Sequence, residues 1–390
     1  MDLPLSKPQR LLSLDVLRGI TISGMLLVNN PGSWSKIYAP LEHAAWNGLT
    51  PTDLVFPFFM FIMGVSMYIS LSKTNFQFSA PYFKKLLKRS ALIFLTGVAI
   101  GWFSILCFGT FNIGSELSFW DRFTSSVFPA DRIRILGVMQ RLAISSFFAS
   151  LIAVLIPAKH WLKTAGLLLV AYLAILFLGN GFELAPSNII IRVDTALFGE
   201  NHIYKGDLIP FDPEGLLSTI PCIAHVILGI YVGKLLKSTP DITEKMVKLF
   251  LFGAICMLLG WLFSYAVPIN KKIWTPTYVL LTCGMASTLL ALLTWIIDVK
   301  GKKRWSVFFE SFGVNPLFLY VLGGVMSILL GSIRFRIGED IISIKGAVYQ
   351  SFVSIARDEY FASLMFAILF ITLNWLIGHQ LYKRKIYIKL

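Results

Sequence analysis

Long apolar runs separated by short polar segments recur along the whole chain of 390 residues. As a helix, each run is long enough to cross a hydrocarbon core of about 30 Å. The pattern therefore predicts an all-α polytopic membrane protein with about ten transmembrane helices. Residues 332–358 are less apolar, and they fit either an amphipathic helix at the membrane surface or part of an eleventh span. The ten predicted spans cover residues 11–30, 54–72, 87–108, 133–156, 161–179, 215–236, 247–267, 276–297, 306–330 and 360–382.

The composition agrees with this pattern. Hydrophobic residues make up 56% of the chain and charged residues only 14%, whereas about 25% of the residues in a soluble domain are charged. We find neither an internal repeat nor a polar linker that would separate domains. The sequence therefore predicts a single transmembrane domain over residues 1–390.

The charged residues are divided unequally between the two predicted faces of the membrane. With both termini on one side, that side carries 21 Lys and Arg against 4 Asp and Glu, and the other carries 11 against 15. The positive-inside rule makes the basic side cytoplasmic. The net charge of +14 then reflects topology and contact with anionic lipid, which excludes a nucleic-acid-binding surface as its explanation. No Asn-x-Ser/Thr sequon occurs, and we expect a multi-pass protein of a bacterial inner membrane.

The first predicted outer loop, from Asn29 to Asp53, is rich in polar residues. His43 lies about ten residues before the second span, and an imidazole suits a general base because it exchanges protons near neutral pH. The alternative is an interfacial histidine that bonds to a backbone carbonyl. Asp53 could orient His43 in the way that a carboxylate orients a catalytic base, or it could cap the second helix.

Other polar residues lie at or inside the predicted spans. Arg18 is three residues after Asp15 and is expected either to form a structural ion pair with it or to bind a phosphate-bearing substrate. Arg141 lies well inside the fourth span, where a charge costs about 2.5–3.5 kcal/mol and calls for a polar partner or a water-filled cavity. We find no spacing typical of metal ligands and expect no metal. Further candidates for substrate binding are Trp46, Asn47, Glu214, Asn270, Trp274 and Asn315.

Several stretches of the chain together resemble the heparan-alpha-glucosaminide N-acetyltransferase family, nearly from end to end. They include LSLDVLRGITISGMLLVNN, HAAWNGLTPTDLVFPFFMFIMG, RILGVMQRLAISSF, FDPEGLLSTIPCIAHVILG, INKKIWTPTYVL and FGVNPLFLYV. The most specific element is the His-x-x-Trp-Asn-Gly-Leu-Thr stretch at residues 43–50, together with the Asp-Leu-Val-Phe-Pro that follows it at residues 53–57. The resemblance implies transfer of an acetyl group from cytosolic acetyl-CoA to the amine of a terminal glucosamine on the opposite side of the membrane. It also places His43 at the active-site histidine and Asn29 at an assisting loop asparagine.

A mechanism follows from these residues. His43 would take the proton of an attacking amine or accept the acetyl group transiently, while Asn29, Asn47 or Trp46 would donate a hydrogen bond to the thioester oxygen. We expect acetyl-CoA, an amino sugar and the bilayer as partners, no nucleic acid, and a second copy of the chain in a homodimer as a further candidate. The rival hypothesis is a transporter of amino sugars or lipid-linked precursors. The candidates for holding the CoA phosphates are Arg18, Lys84, Lys85, Lys88 and Arg89.

Overall fold

The fold is known from a computed structural model, which describes residues 11–206 and 209–388. Nearly all the regular structure is helical, as predicted, and one short antiparallel hairpin adds two strands. The helices are α1 Leu12–Val28, α2 Val55–Leu71, α3 Ala80–Thr110, α4 Phe119–Val127, α5 Val138–Leu155, α6 Trp161–Leu178, α7 Ile189–Phe198, α8 Thr219–Ser238, α9 Ile242–Phe263, α10 Pro276–Leu293, α11 Val307–Val314, α12 Pro316–Ser332, α13 Ile344–Ala356 and α14 Glu359–Lys383; the strands are β1 Arg334–Ile337 and β2 Asp340–Ser343.

Across residues 11–206 and 209–388, eight helices are long and apolar enough to cross a membrane, and the bent pair of α11 and α12 would make a ninth. Helix α1 corresponds to the first predicted span but has only seventeen residues. Helix α13 has thirteen residues, which rise about 20 Å and are too short to cross the core alone. The multi-pass helical architecture is therefore confirmed, while the number of ten spans stays a prediction.

Close helix packing in the centre depends on small residues. Helices α2 and α8 approach each other at Gly64 and Gly229, where an added methyl group would clash with the backbone carbonyls of Val226 and Phe61 respectively. The buried apolar side chains of these two helices join those of α1, α10 and α11 in one continuous core. Helices α6 and α9 contribute one face to this core, through Trp161 and Leu249 among others, and their other faces expose many large apolar side chains, as expected for surfaces that face lipid.

The ninth predicted span is not one straight helix. The chain bends by 79° between α11 and α12, at Asn315 and the Pro316 that begins α12. Proline has no backbone N–H and cannot continue the hydrogen-bond ladder of the preceding helix. The Asn315 amide instead binds the segment after α14, donating to the Ile386 carbonyl at 2.9 Å and accepting from the Ile388 N–H at 2.8 Å.

The predicted outer loops meet at one end of the helices. Gly48 N–H donates to the Ile269 carbonyl at 2.8 Å, and Ile135 N–H donates to the His202 carbonyl at 3.0 Å. At the opposite end, Tyr382 of α14 donates to Glu310 of α11 at 2.8 Å. The loops that were grouped by charge are therefore also grouped in space.

Candidate active site

Two short helical turns, at Ala39–Leu41 and Pro51–Leu54, shape the loop that carries His43. Thr50 and Asp53 form a reciprocal cap at the second turn: Asp53 Oδ2 accepts from the Thr50 N–H at 3.1 Å and from the Thr50 hydroxyl at 3.0 Å. The same oxygen accepts from the Ala44 N–H at 3.1 Å. Capping thus fixes the Asp53 carboxylate and leaves Oδ1 for other partners.

Asp53 Oδ1 lies 2.7 Å from His43 Nδ1. Asp53 therefore both caps the helix and contacts the histidine, so the two interpretations of this residue are compatible. The Asp53 side chain is 1% exposed and that of His43 46% exposed. An ionised carboxylate can only accept hydrogen bonds, so this contact places a proton on Nδ1, and in the neutral imidazole the lone pair is then on Nε2. This is the arrangement of a base that a carboxylate orients.

A lysine from a distant loop completes this cluster. Lys271 Nζ lies 2.9 Å from His43 Nδ1 and 3.2 Å from Asp53 Oδ1. The loop between α9 and α10 brings it there, and Asn270 fixes that loop by accepting from the Ile273 N–H at 3.0 Å and donating to Asn47 Oδ1 at 3.1 Å. The sequence analysis assigned no function to Lys271.

His43 opens into a cavity of about 390 Å³. Basic and acidic side chains from four separate loops meet there, together with two aromatic rings. The lining residues are His43, Ala44, Ala45, Asp53, Arg134, Tyr204, Pro213, Glu214, Lys271, Lys272 and Trp274.

Arg134 forms two ion pairs in the lining of the cavity that His43 shares. Its guanidinium pairs with Asp212 at 2.5 Å and with Glu214 at 2.6 Å, and it lies 4.9 Å from the centre of the Tyr204 ring. Burial alone would raise the pKa of Glu214, but the positive charge of Arg134 outweighs that effect and holds the pKa below its usual value. Glu214 therefore presents a negative charge to the cavity.

Trp274 forms part of the cavity wall from a strained backbone. Its φ is 53°, a left-handed conformation that large side chains rarely adopt and that is typical of functional sites. Behind it, the guanidinium of Arg141 lies 5.2 Å from the centre of the indole ring. Arg141 donates to Ser218 Oγ and to the Gly215 carbonyl. These contacts give Nη2 the polar partners that were expected, whereas Nε and Nη1 are buried without a hydrogen-bond partner, and Arg141 lies in the first turn of α5.

A second cavity of about 340 Å³ lies between α1, α3, α5 and α12. Its polar lining includes Asn29, Asn30 and Gln140, and Arg134 lines both cavities. Asn29 therefore lies in the neighbouring cavity rather than beside His43, and its assisting role stays a prediction.

The other predicted site residues are distributed unevenly. Trp46 and Asn47 pack behind the cavity, where Trp46 donates to the Phe182 carbonyl at 2.8 Å. Asn315 binds the chain after α14, and Arg18 at the same end pairs with Asp15 at 3.0 Å. The roles predicted for these four residues stay predictions. So does phosphate binding by Lys84, Lys85, Lys88 and Arg89, which are exposed on the first turns of α3.

Some cavity residues were not singled out by the sequence. Arg134 and Tyr204 line the cavity, and Asp212 pairs with Arg134. These three residues lie far apart in the sequence, and no motif indicates that they meet. Over the described parts of the chain, no group of three or more His, Cys, Asp and Glu is arranged to hold a metal ion.

Comparison with known proteins gives this site a family context. The family model for the catalytic part of heparan-alpha-glucosaminide N-acetyltransferase matches residues 10–265. The heparan-alpha-glucosaminide N-acetyltransferase of Homo sapiens is 29% identical over 373 residues, covering 80% of this chain and 52% of the human protein. That of Mus musculus is 27% identical over 374 residues, covering 81% of this chain and 53% of the mouse protein. The chain thus spans about half the length of these relatives, and it belongs to the heparan-alpha-glucosaminide N-acetyltransferase catalytic family.

Proposed function

We propose that this protein is a transmembrane acetyltransferase that moves an acetyl group from acetyl-CoA to the amine of a glucosamine-type sugar. The observation that carries the proposal is the contact of 2.7 Å between His43 Nδ1 and Asp53 Oδ1 in a histidine that lines a cavity of about 390 Å³. The family of the chain supports the same chemistry.

The reaction needs a base at the attacking amine. His43 Nε2 takes a proton from the acceptor amine while the nitrogen attacks the thioester carbonyl. The new C–N bond forms, the C–S bond breaks, and His43 returns the proton to the departing sulfur. Alternatively, Nε2 attacks the thioester first and carries the acetyl group to the amine in a second step.

Two groups in the cavity suit an amino sugar. Glu214 presents a carboxylate, which pairs with an ammonium or accepts from sugar hydroxyls. Trp274 contributes an indole ring, an apolar surface on which a sugar ring can stack. Together with Arg141, Asn270 and Trp46 behind them, these residues are our proposed acceptor site.

We propose that the donor enters from the cytoplasm of a bacterium, with both termini on that side of the inner membrane. Arg18 and the basic residues at the start of α3 would then hold the CoA phosphates. The second cavity supports this route, because it lies between α1, α3, α5 and α12 and shares Arg134 with the lining of the His43 cavity.

The direct test is transfer of radiolabel from acetyl-CoA by the purified protein to a panel of glucosamine acceptors. Wild type should label the acceptor amine, and His43→Ala should lower the rate by at least about 10²-fold. Asp121→Asn, on α4 away from the cavity, is the matched control and should keep the wild-type rate. Absence of His43-dependent transfer, together with sugar uptake into proteoliposomes, would replace this proposal with the transporter.

Incubation without an acceptor separates the two mechanisms. A transient acetyl-imidazole should give label on the His43 peptide, lost when acceptor is added. With His43 acting only as a base, the peptide should stay unlabelled while the complete reaction proceeds.

A further inference from the structure

Three polar atoms form a triangle beside the cavity. His43 Nδ1 lies 2.7 Å from Asp53 Oδ1, Lys271 Nζ lies 3.2 Å from the same oxygen, and the two nitrogens are 2.9 Å apart. The Lys271 side chain is 20% exposed. Its ammonium group contacts the imidazole at Nδ1, the nitrogen that faces Asp53.

With an ionised Asp53 and a charged Lys271, two of the three contacts can be hydrogen bonds, and the shortest, at 2.7 Å, joins His43 Nδ1 to Asp53 Oδ1. If Lys271 donated to Nδ1, the lone pair of Nδ1 would be used by lysine, and the carboxylate oxygen 2.7 Å away would face a nitrogen without a proton. If Nδ1–H donates to Asp53 and Lys271 donates to the same oxygen, both contacts of the carboxylate join a donor to an acceptor, and the ammonium lies against Nδ1 without a hydrogen bond. Asp53 Oδ1 is therefore shared by the imidazole and the ammonium.

We propose that Lys271 is a positioning residue for His43: its ammonium group shares Asp53 Oδ1 with the imidazole and, 2.9 Å from Nδ1, opposes a second positive charge on that ring. An Asp–His pair alone would favour the imidazolium, because the carboxylate is then balanced only by histidine. With Lys271 present the carboxylate is already neutralised, and an imidazolium would face an ammonium 2.9 Å away.

The surroundings of Lys271 agree with this role. Burial lowers the pKa of Lys271, while the negative charge of Asp53 opposes that effect, so the lysine depends on Asp53 to stay charged. The other charged groups around the cavity are Lys272, Arg134 and Glu214. Glu214 is paired with Arg134 at 2.6 Å, which leaves Asp53 as the carboxylate that joins lysine and histidine.

This role deepens the proposed function and rests on it for its catalytic meaning, but it can be tested without any activity. Diethyl pyrocarbonate modifies neutral imidazole, and mass spectrometry of the His43 peptide measures the rate of modification as a function of pH. Lys271→Met removes the charge at similar volume, and Lys271→Arg keeps it. Lys36→Met is the matched control, because Lys36 pairs with Glu359 at 2.6 Å and does not line the His43 cavity.

In Lys271→Met we expect the inflection of His43 modification to move to higher pH by about one unit or more, the usual effect of removing a neighbouring charge. Lys271→Arg and Lys36→Met should keep the inflection near its wild-type position. In acetyl transfer, the acid limb of the pH profile of kcat/KM should move by the same amount in Lys271→Met. Lys271→Gln is the second variant if the methionine protein fails to elute as a single folded species.

An unmoved inflection in folded Lys271→Met, or an equal shift in Lys271→Arg, would overturn the inference. If acetyl transfer depends on His43 but the inflection stays in place, only the role of Lys271 fails. If the inflection moves as expected and wild type transfers no acetyl group, the positioning role stands and the proposed function fails.

Discussion

Arg134 and Asp212 form a two-pronged ion pair, with Nε 2.9 Å from Oδ2 and Nη2 2.5 Å from Oδ1. Asp212 has no exposed side-chain surface, so the pair is enclosed on the carboxylate side. It joins the segment before α5 to the segment before α8, and Arg134 lines both cavities. The geometry of the candidate site therefore depends on this contact.

Removal of Arg134 should be costly for this reason. Arg134→Met leaves the buried carboxylate of Asp212 unpaired, and breaking such a pair costs about 3–5 kcal/mol. We expect a large fall in the temperature of thermal unfolding, measured in detergent by intrinsic fluorescence. Arg132→Met is the control, because the Arg132 side chain is 57% exposed and its Nε lies 3.7 Å from Asp131 Oδ1. Equal effects of the two substitutions would contradict a structural role for the pair.

Asp53 should matter more for activity than for stability. Asp53→Asn keeps an oxygen for the Thr50 N–H but loses the charge that orients the imidazole. By analogy with the loss of an orienting carboxylate from a catalytic triad, kcat should fall about 10²–10⁴-fold. The measurements are steady-state acetyl transfer and the temperature of thermal unfolding, which should also fall because the ammonium of Lys271 loses its carboxylate partner. A kcat within a factor of two of wild type would show that Asp53 serves the helix cap alone.

Asp194 should make stability depend on pH. Burial raises its pKa to about 6, and Oδ1 accepts from the Leu216 N–H at 2.9 Å. The folded state holds the proton more tightly than the unfolded state, whose pKa is about 3.9. The free energy of unfolding therefore decreases as the pH rises from about 4 to about 6.

Asp194→Asn removes this titration and can still accept from Leu216. We expect it to raise the unfolding temperature more at pH 8 than at pH 4.5, measured in matched buffers. Asp131→Asn, at an exposed aspartate, should give the same small effect at both pH values. If Asp194→Asn raised the unfolding temperature equally at both pH values, the result would be inconsistent with a raised pKa of Asp194.

The contact between α2 and α8 should tolerate no added atom. In Gly229→Ala the new methyl group meets the Phe61 carbonyl and the Gly64 Cα, and overpacking of this kind costs about 1–3 kcal/mol. Gly166→Ala on α6 is the matched control, since its methyl group would have no atom within 4 Å and alanine favours the helix. The temperature of thermal unfolding should fall in Gly229→Ala and should stay the same or rise in Gly166→Ala. If both variants unfold at the wild-type temperature, the helices are less tightly packed than the structure indicates.

Much of the architecture could be predicted from the pattern of apolar residues. A helix in lipid must satisfy its own backbone and expose apolar side chains, so its length and composition are visible in the sequence. The bend at Asn315 was missed because the apolar run continues through it, and only Pro316 signals a break. The hairpin of β1 and β2 was also missed, since its register depends on pairing rather than on periodicity.

The site was only partly visible in the sequence. His43 and Asp53 are ten residues apart in one loop, and their chemistry already suggested a base and its partner. Lys271 is 228 residues from His43, and nothing in its neighbourhood distinguishes it from Lys272. Local chemistry thus determined which residues could react. Only the packing of the loops decided which charges meet, because an interaction between charges depends on their distance in space and on their burial rather than on their order along the chain.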